Sequence, residues 1–353
     1  MTDLYQINDD WERIARTVVQ PKQVVLVIGA IDVGKSTFCR FLIERGVASG
    51  LKVGFVDTDV GQSQIGPPTT IGLKIFSSGS KVRQDSISSL LLDDEPDGLY
   101  FVGWTSPEHH LLQCVTGTRL MVDAALEAGA GFIVIDTTGY VEGITAVVLK
   151  QHKIELVKPT HVICIHRSHV LDPITACFEG IDTIQMDYLP PHISVSSKSS
   201  AFRREYRELS FDRYFSDCVQ AVLPFDQIHG QRTPFFIGRQ ANAKELEILS
   251  DFVDNRVLYA EWGHRSLSLV TPDVLSNLLQ ARLKSHFSLK HLDVETPQYF
   301  ERRLIGLLNT YGKTISIGII DAVDLMARRL EIRCKAGTAS DTRTIQFGRY
   351  KAE

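Results

Sequence analysis

Several function classes are excluded by what this 353-residue chain does not have. No stretch approaches the roughly 18 consecutive apolar residues of a membrane span. The first residues, Met1 to Trp11, are polar and acidic, without the basic start and apolar stretch of a signal peptide. The six cysteines (Cys39, Cys114, Cys164, Cys177, Cys218, Cys334) include no C-x-x-C pair. That argues against a paired-cysteine zinc site and a disulfide framework, and for reduced thiols in a cytoplasmic protein. Basic charge is not in excess: 38 Lys and Arg stand against 42 Asp and Glu, a net charge of −4. No global positive field can coat a nucleic acid, so any such partner must be held by a local site. With 25 Gly and 13 Pro, and no internal repeat, the chain is neither collagen-like nor low in complexity.

What is present is ordinary globular material, 44% apolar and 23% charged. At about 150 residues per domain the length predicts two or three domains. From Glu301 to Glu353 ten Lys and Arg face six Asp and Glu, a mild basic bias that reads as solvated surface.

Periodicity predicts the organisation. Residues 1–21 read as a short amphipathic helix, with Trp11, Ile14, Ala15 and Val18 at helical spacing and Pro21 as the stop. Val24 to Ile28 is a continuous β-branched run of the kind buried in a parallel sheet. A helix from Ser36 to Ser49 closes at Gly50, and strands follow at 52–56, 131–136 and 161–165, with helices at 118–127 and 142–153 between them. Strands alternating with helices give a doubly wound α/β domain over 22–223. Beyond Pro224 short strands at 256–261, 314–320, 329–333 and 344–347, with helices near 272–283 and 297–308, predict a smaller β-rich domain over 224–353.

The stretch Gly29-Ala30-Ile31-Asp32-Val33-Gly34-Lys35-Ser36-Thr37 matches G-x-x-x-x-G-K-[ST]. Its backbone N–H groups are placed to wrap phosphates, Lys35 to reach the β and γ oxygens, and the Ser36 hydroxyl to ligate Mg²⁺. The helix behind it directs its positive end at the anion. An apolar strand before the loop and a helix after it supply the context such a motif requires, so ATP with Mg²⁺ is the expected cofactor pair. There is no N-K-x-D guanine-reading motif and no L-S-G-G-Q transporter signature. Asp136, ending a buried strand ahead of Thr137, Thr138 and Gly139, fits a Walker B carboxylate that holds Mg²⁺ directly or through water. A polar residue turning the chain at a strand end is the plainer alternative.

The second strand ends Asp57-Thr58-Asp59-Val60-Gly61-Gln62. Alternation along a strand puts Asp57 and Asp59 on one face at the edge where ligands bind. A carboxylate there can accept the proton of a hydroxyl attacking the γ-phosphorus. Two acids are hard to explain as packing, because buried unpaired charge is costly. Arg203 and Arg207, four apart, share a helix face and can converge on one phosphate; Glu205 and Glu208 equally fit a solvated face.

The D-x-D-x-G-Q element after this loop resembles the polynucleotide 5′-hydroxyl kinases, the P-loop family that includes the RNA kinase of the pre-mRNA 3′-end processing factor. The likeness continues through Gly66 to Thr70, Gly103 to Pro107, Asp136 to Tyr140, and the Arg203/Arg207 pair before Tyr214 and Phe215, so it covers about residues 22–220. The P-loop follows closely on the start of the chain, without the N-terminal β domain of the eukaryotic members, so the prokaryotic branch is the nearer comparison. The resemblance implies a P-loop NTPase fold with a lid at about 195–215. It implies Lys35, Asp59, Arg203 and Arg207 as catalytic residues, with Asp59 as general base, and Ser36, Asp59 and Asp136 around Mg²⁺. Gln62 would hold the acceptor end, and Thr69 and Thr70 would form a clasp over the phosphates or the acceptor terminus. Tyr140 stands where eukaryotic members carry a Trp that stacks on the terminal base; packing against the sheet is an equal alternative.

His109, His110, His166 and His169 have no third ligand at metal spacing and read as loop or surface residues, and nothing assigns Arg167 a role. The reading is an ATP- and Mg²⁺-dependent kinase of the 5′-hydroxyl of single-stranded RNA or DNA. It has no membrane partner, and the sequence leaves its oligomeric state open. A kinase of a small-molecule hydroxyl and an ATP-binding RNA-processing assembly factor with little turnover are the alternatives.

Overall fold

A computed structural model describes residues 9–77, 95–192 and 197–352. The expected lid therefore begins at residues 195 and 196 outside that range, as do the first residues of the expected N-terminal helix. The chain divides into two compact units, Met1–Tyr214 and Phe215–Glu353.

The first unit is a sheet between two helix layers. Its strands β1 (Gln23–Gly29), β2 (Val53–Thr58), β3 (Thr70–Phe76), β4 (Gly98–Phe101), β5 (Phe132–Thr137), β6 (His161–Ile165) and β7 (Gln185–Leu189) take the order β7-β6-β1-β5-β2-β3-β4. The first five in that order are parallel; β3 and β4 are added antiparallel. The β-branched runs explain the centre: Val25 and Val27 face one helix layer and Leu26 and Ile28 the other, all fully buried. On the first face pack α1 (Asp9–Val18) and α2 (Lys35–Ala48). Trp11 lies edge-on to Phe38 at 5.1 Å, and Ile14, Ala15 and Val18 are buried as the helical spacing requires. On the second face pack α3 (Leu111–Glu127) and α4 (Ile144–Val157). The unit ends one residue before the end of α5 (Ser200–Phe215).

The sequence reading missed β3, β4 and β7. Two of them have a weak pattern: β4 is four residues long, and β7 is a half-exposed edge strand of sequence QMDYL.

In the second unit β8 (Cys218–Pro224) pairs with β16 (Arg329–Lys335), so it belongs to this unit and not to the α/β domain that was expected to run to 223. The sheet continues through β15 (Thr314–Asp324), β14 (Arg303–Leu308), β17 (Thr344–Lys351) and β9 (His229–Gln231). A second, four-stranded sheet has the order β10-β11-β12-β13 (Arg239–Gln240, Tyr259–Gly263, Ser266–Val270, His291–Glu295). It accompanies α6 (Ala243–Val253) and α7 (Asn277–His286). The helix expected near 297–308 is corrected: a short turn at Pro297–Tyr299 leads into β14, which lies between β15 and β17. Leu304 to Leu308 are all buried, and burial on both faces of a central strand overrides local helix propensity.

Candidate active site

Gly29 ends β1, and the loop from Ala30 to Gly34 hands over to α2. Gly34 takes φ 94°, a left-handed value that a Cβ would oppose, and it caps α2 so that the first-turn N–H groups open onto the loop. The ammonium of Lys35 is buried and donates to the Ala30 carbonyl across the loop at 2.7 Å. Gly139 lets the segment after β5 lie on the loop: a Cβ there would come within 2.3 Å of the Ile31 side chain and 2.7 Å of its backbone.

The acids meet at the ends of β2 and β5. Asp57 and Asp136 are register partners on adjacent parallel strands, so their side chains share a face. Both are fully buried. Asp57 is committed to the loop that follows it. Its Oδ2 accepts from the Gln64 amide at 2.5 Å, the Ile65 amide at 3.3 Å and the Ser63 hydroxyl at 3.3 Å, and its Oδ1 from the Asp59 amide at 3.0 Å. Burial, then Asp136 and Asp59, nevertheless push its carboxyl up from the usual carboxylate range. Asp136 accepts through Oδ2 from the Gln64 side-chain amide at 3.4 Å; its Oδ1 is buried without a hydrogen bond among the described residues. Burial raises its pKa, opposed by the charge of Lys35 and a hydrogen bond from Ser36. Asp59 lies past the end of β2 and is half-buried. Its Oδ1 accepts from the Gly61 and Gln62 amides, both at 3.0 Å, and Oδ2 makes no hydrogen bond among the described residues. Of the two acids that strand alternation left undivided, Asp57 therefore shapes the loop and Asp59 keeps acceptor capacity.

Helix α5, within the segment expected to be a lid, carries both arginines, half-buried. The Arg203 guanidinium donates to Asp32 Oδ2 of the phosphate loop at 2.5 Å, and the Lys198 amide donates to the same oxygen at 2.9 Å. Gln62 Nε2 donates to the Arg203 carbonyl at 3.1 Å, and the Tyr206 hydroxyl to the Ser63 carbonyl at 3.1 Å. Arg207 makes no hydrogen bond or ion pair among the described residues. The two arginines are thus unequal, which their spacing did not reveal.

In the expected clasp, Thr69 sits at φ 74°, and its carbonyl accepts from the Val102 and Gly103 amides at 2.8 and 3.1 Å. Its buried hydroxyl is without a partner among the described residues. The Thr70 hydroxyl is spent on the Pro67 carbonyl at 2.7 Å. Tyr140 is half-buried against the apolar layer of Leu26, Ile28 and Ile135, a packing role that leaves part of its ring open.

Sequence reasoning missed Lys150 and Lys153. Both lie on α4 and are 0% and 1% exposed. Lys150 Nζ donates to the Thr138 carbonyl at 2.6 Å, Lys153 Nζ to the Thr58 hydroxyl at 2.7 Å. The signal was present: with Ala146, Leu149, Ile154 and Val157 they fall on the buried face of the helix.

The residues fit a magnesium ion. Among the described residues no three His, Cys, Asp or Glu side chains are placed to hold a metal alone. Mg²⁺ in phosphoryl-transfer sites typically keeps waters and takes phosphate oxygens with one or two protein ligands. Ser36 and Asp136, whose buried Oδ1 lacks a partner, suit that arrangement.

The model of a family described as the mRNA cleavage and polyadenylation factor CLP1 P-loop matches residues 29–217. The chain is similar to proteins named polyribonucleotide 5′-hydroxyl-kinase. That of Pyrococcus furiosus is 28% identical over 349 residues, which is 98% of this chain and 93% of that protein. That of Thermococcus kodakarensis is 30% identical over 329 residues, 93% of this chain and 87% of that protein. A solved structure of the wild-type Clp1p–Pcf11p complex shares the fold, with a TM-score of 0.59 at 11% identity over 97% of this chain and 78% of that one.

Proposed function

From the premise that the chain belongs to the CLP1 P-loop family, we propose that it is an ATP-dependent polynucleotide 5′-hydroxyl kinase, transferring the γ-phosphate of ATP to the 5′-OH end of RNA or DNA. The observation that carries the reading is Asp59. Its carboxylate is fixed through one oxygen by two loop amides beside Asp136, with the other oxygen unspent. A nucleotide-switched assembly factor with little turnover has no use for a held base on the acceptor side, whereas a hydroxyl kinase needs one. A kinase of small hydroxyls would use the same base; the near full-length relatives named for polyribonucleotides favour the polynucleotide.

In this reading the loop amides from Ala30 to Thr37 cradle the phosphates and Lys35 leaves the Ala30 carbonyl for the β and γ oxygens. Asp59 accepts the proton of the 5′-hydroxyl as that oxygen attacks the γ-phosphorus. Gln62 helps hold the acceptor end. Arg207 meets the charge spread over the γ oxygens, while Arg203 links the lid to Asp32 and so delivers its neighbour. Thr69 offers its unpartnered hydroxyl from the clasp, with Thr70 shaping the turn behind it. Tyr140 supplies a stacking face for the terminal base. Mg²⁺, held by Ser36 and Asp136 with Asp59 nearby, would neutralise phosphate charge during transfer.

No helix among the described residues is long and apolar enough to cross a membrane. Free cysteines fit a reducing compartment, and we place the protein in the cytoplasm.

The test is incubation with γ-labelled ATP, Mg²⁺ and short 5′-hydroxyl RNA and DNA oligonucleotides. Label on the 5′ end of either is expected. No label on either, with label on a nucleoside or sugar, would overturn the reading in favour of a small-molecule kinase.

A further inference from the structure

Lys150 and Lys153 are the least expected groups near the site. Each carries an ammonium into the protein interior, and neither makes an ion pair among the described residues. Taking such a charge out of water costs several kcal/mol, and replacing buried ionic groups by apolar ones is often neutral or stabilising. Packing therefore does not explain them.

Their contacts do. Asp57 and Asp136 lie on the sheet face that packs against α2, whereas Thr58 and the lysines lie on the α4 face. Lys153 Nζ donates to the Thr58 hydroxyl at 2.7 Å, and that hydroxyl donates to the Asp136 carbonyl at 2.8 Å. One ammonium thus ties the end of β2, one residue before Asp59, to the end of β5. Lys150 Nζ holds the Thr138 carbonyl at 2.6 Å, two residues past Asp136. The chain leaving each catalytic strand is pinned from behind. Both lysines also stand near Asp59 and Asp136, while the Asp57 carboxyl is pushed towards its neutral form. Burial pushes both ammonium groups down from the ordinary lysine range, opposed by the nearby acids, Asp59 and Asp136 among them.

We propose that Lys150 and Lys153 are positioning residues for phosphoryl transfer: from the far side of the sheet they fix the strand ends that carry Asp59 and Asp136, and they offset the carboxylate charge that would otherwise bind Mg²⁺ too tightly. The proposal rests on the kinase reading above. It separates these lysines from Lys35, which faces the nucleotide. It also explains why both sit on the α4 face of the sheet, opposite Asp57 and Asp136.

The experiment compares Lys150→Met, Lys153→Met, Thr58→Val and Thr58→Ser with wild type. Transfer to a 5′-hydroxyl RNA is measured by kcat and acceptor KM. Separately, Mg²⁺ is titrated in the presence of ADP with the melting temperature as readout, which involves no turnover. Either lysine variant should lose tenfold or more in kcat with acceptor KM within about twofold, and its Mg²⁺ midpoint should move several-fold lower. Thr58→Val should lose kcat as Lys153→Met does, Thr58→Ser should keep it, and the Thr58→Val/Lys153→Met pair should be no slower than the slower single variant. Wild-type kcat and an unmoved Mg²⁺ midpoint in the lysine variants would overturn the proposal. So would variants that melt earlier yet transfer normally per folded molecule. If a lysine variant does not fold, the Thr58→Val and Thr58→Ser contrast decides. Absence of transfer by wild type would instead sink the kinase reading, while the Mg²⁺ titration would still judge the lysines.

Discussion

Glu261 in the second unit and Asp136 in the first are both buried carboxylates, 2% and 0% exposed, but their hydrogen bonds differ. Glu261 accepts from the amides of Phe236, Ile237 and Gly238 at 2.8, 3.1 and 3.0 Å and also from the Tyr259 hydroxyl. Both of its oxygens are used, and it closes a turn. Asp136 meets the Ser36 hydroxyl and one weak donor, Gln64, at 3.4 Å, and its Oδ1 makes no hydrogen bond among the described residues. Asp57 resembles Glu261 more than its own neighbour. Burial of charge alone does not mark chemistry; burial with capacity left over does, because an unmet buried acceptor costs about 1–3 kcal/mol and persists where a ligand or a reaction uses it.

That contrast can be broken by mutation. The largest effect belongs to Lys35→Ala, which should reduce transfer by more than about 10³-fold in a γ-label assay, since a point charge on the β and γ oxygens is lost. Wild-type turnover there would show that the loop is not catalytic. Arg207→Ala should lower kcat by roughly 10²-fold, about the worth of one preorganised donor to a charged transition state. Arg203→Ala should in addition weaken ATP binding, because Asp32 is released from the lid; equal effects of the two on both constants would erase the distinction drawn between them.

Smaller effects test the second half of the comparison. Glu261→Gln should lower stability by about 1–3 kcal/mol, the cost of a badly met buried group, and leave transfer per folded molecule unchanged. A loss of transfer in that variant would make Glu261 more than a turn closure. The smallest effect concerns Lys150. Burial holds its folded-state pKa well below that of the unfolded chain, so the unfolded chain binds the extra proton between the two values. Wild-type stability should therefore rise with pH through the alkaline range towards the ordinary lysine value, about 10.4. Lys150→Met should melt higher than wild type at neutral pH, and the gap should close as pH rises. Parallel melting curves across that range would contradict the downward shift that burial imposes on Lys150.

The part of the fold that holds the phosphates was legible in the sequence because its signals are local. The β-branched run before Gly29, the glycine that takes a left-handed turn at Gly34, and the helix after Lys35 each carry their own reason. The same was true of Trp11, Ile14, Ala15 and Val18. What failed was non-local. Leu304 to Leu308 read as helix until β15 and β17 were placed on either side. Asp57 and Asp59 could not be told apart by alternation, since only the fold of residues 60–65 back onto Asp57 uses up its oxygens. Lys150 and Lys153 were not singled out because a lysine is rarely buried without a carboxylate, and the apolar spacing around them was the one available hint.

The central claim is that Asp59 accepts the proton of a polynucleotide 5′-hydroxyl. Its most direct test is single-turnover transfer to a 5′-hydroxyl oligonucleotide by Asp59→Asn, with ATP binding followed separately. The amide keeps the shape and the loop hydrogen bonds but is too weak a base to take the proton. Transfer should fall by about 10²–10⁴-fold, the usual worth of a positioned base, while ATP affinity stays within a few-fold. A full transfer rate in Asp59→Asn would contradict the account and move the base to another carboxylate.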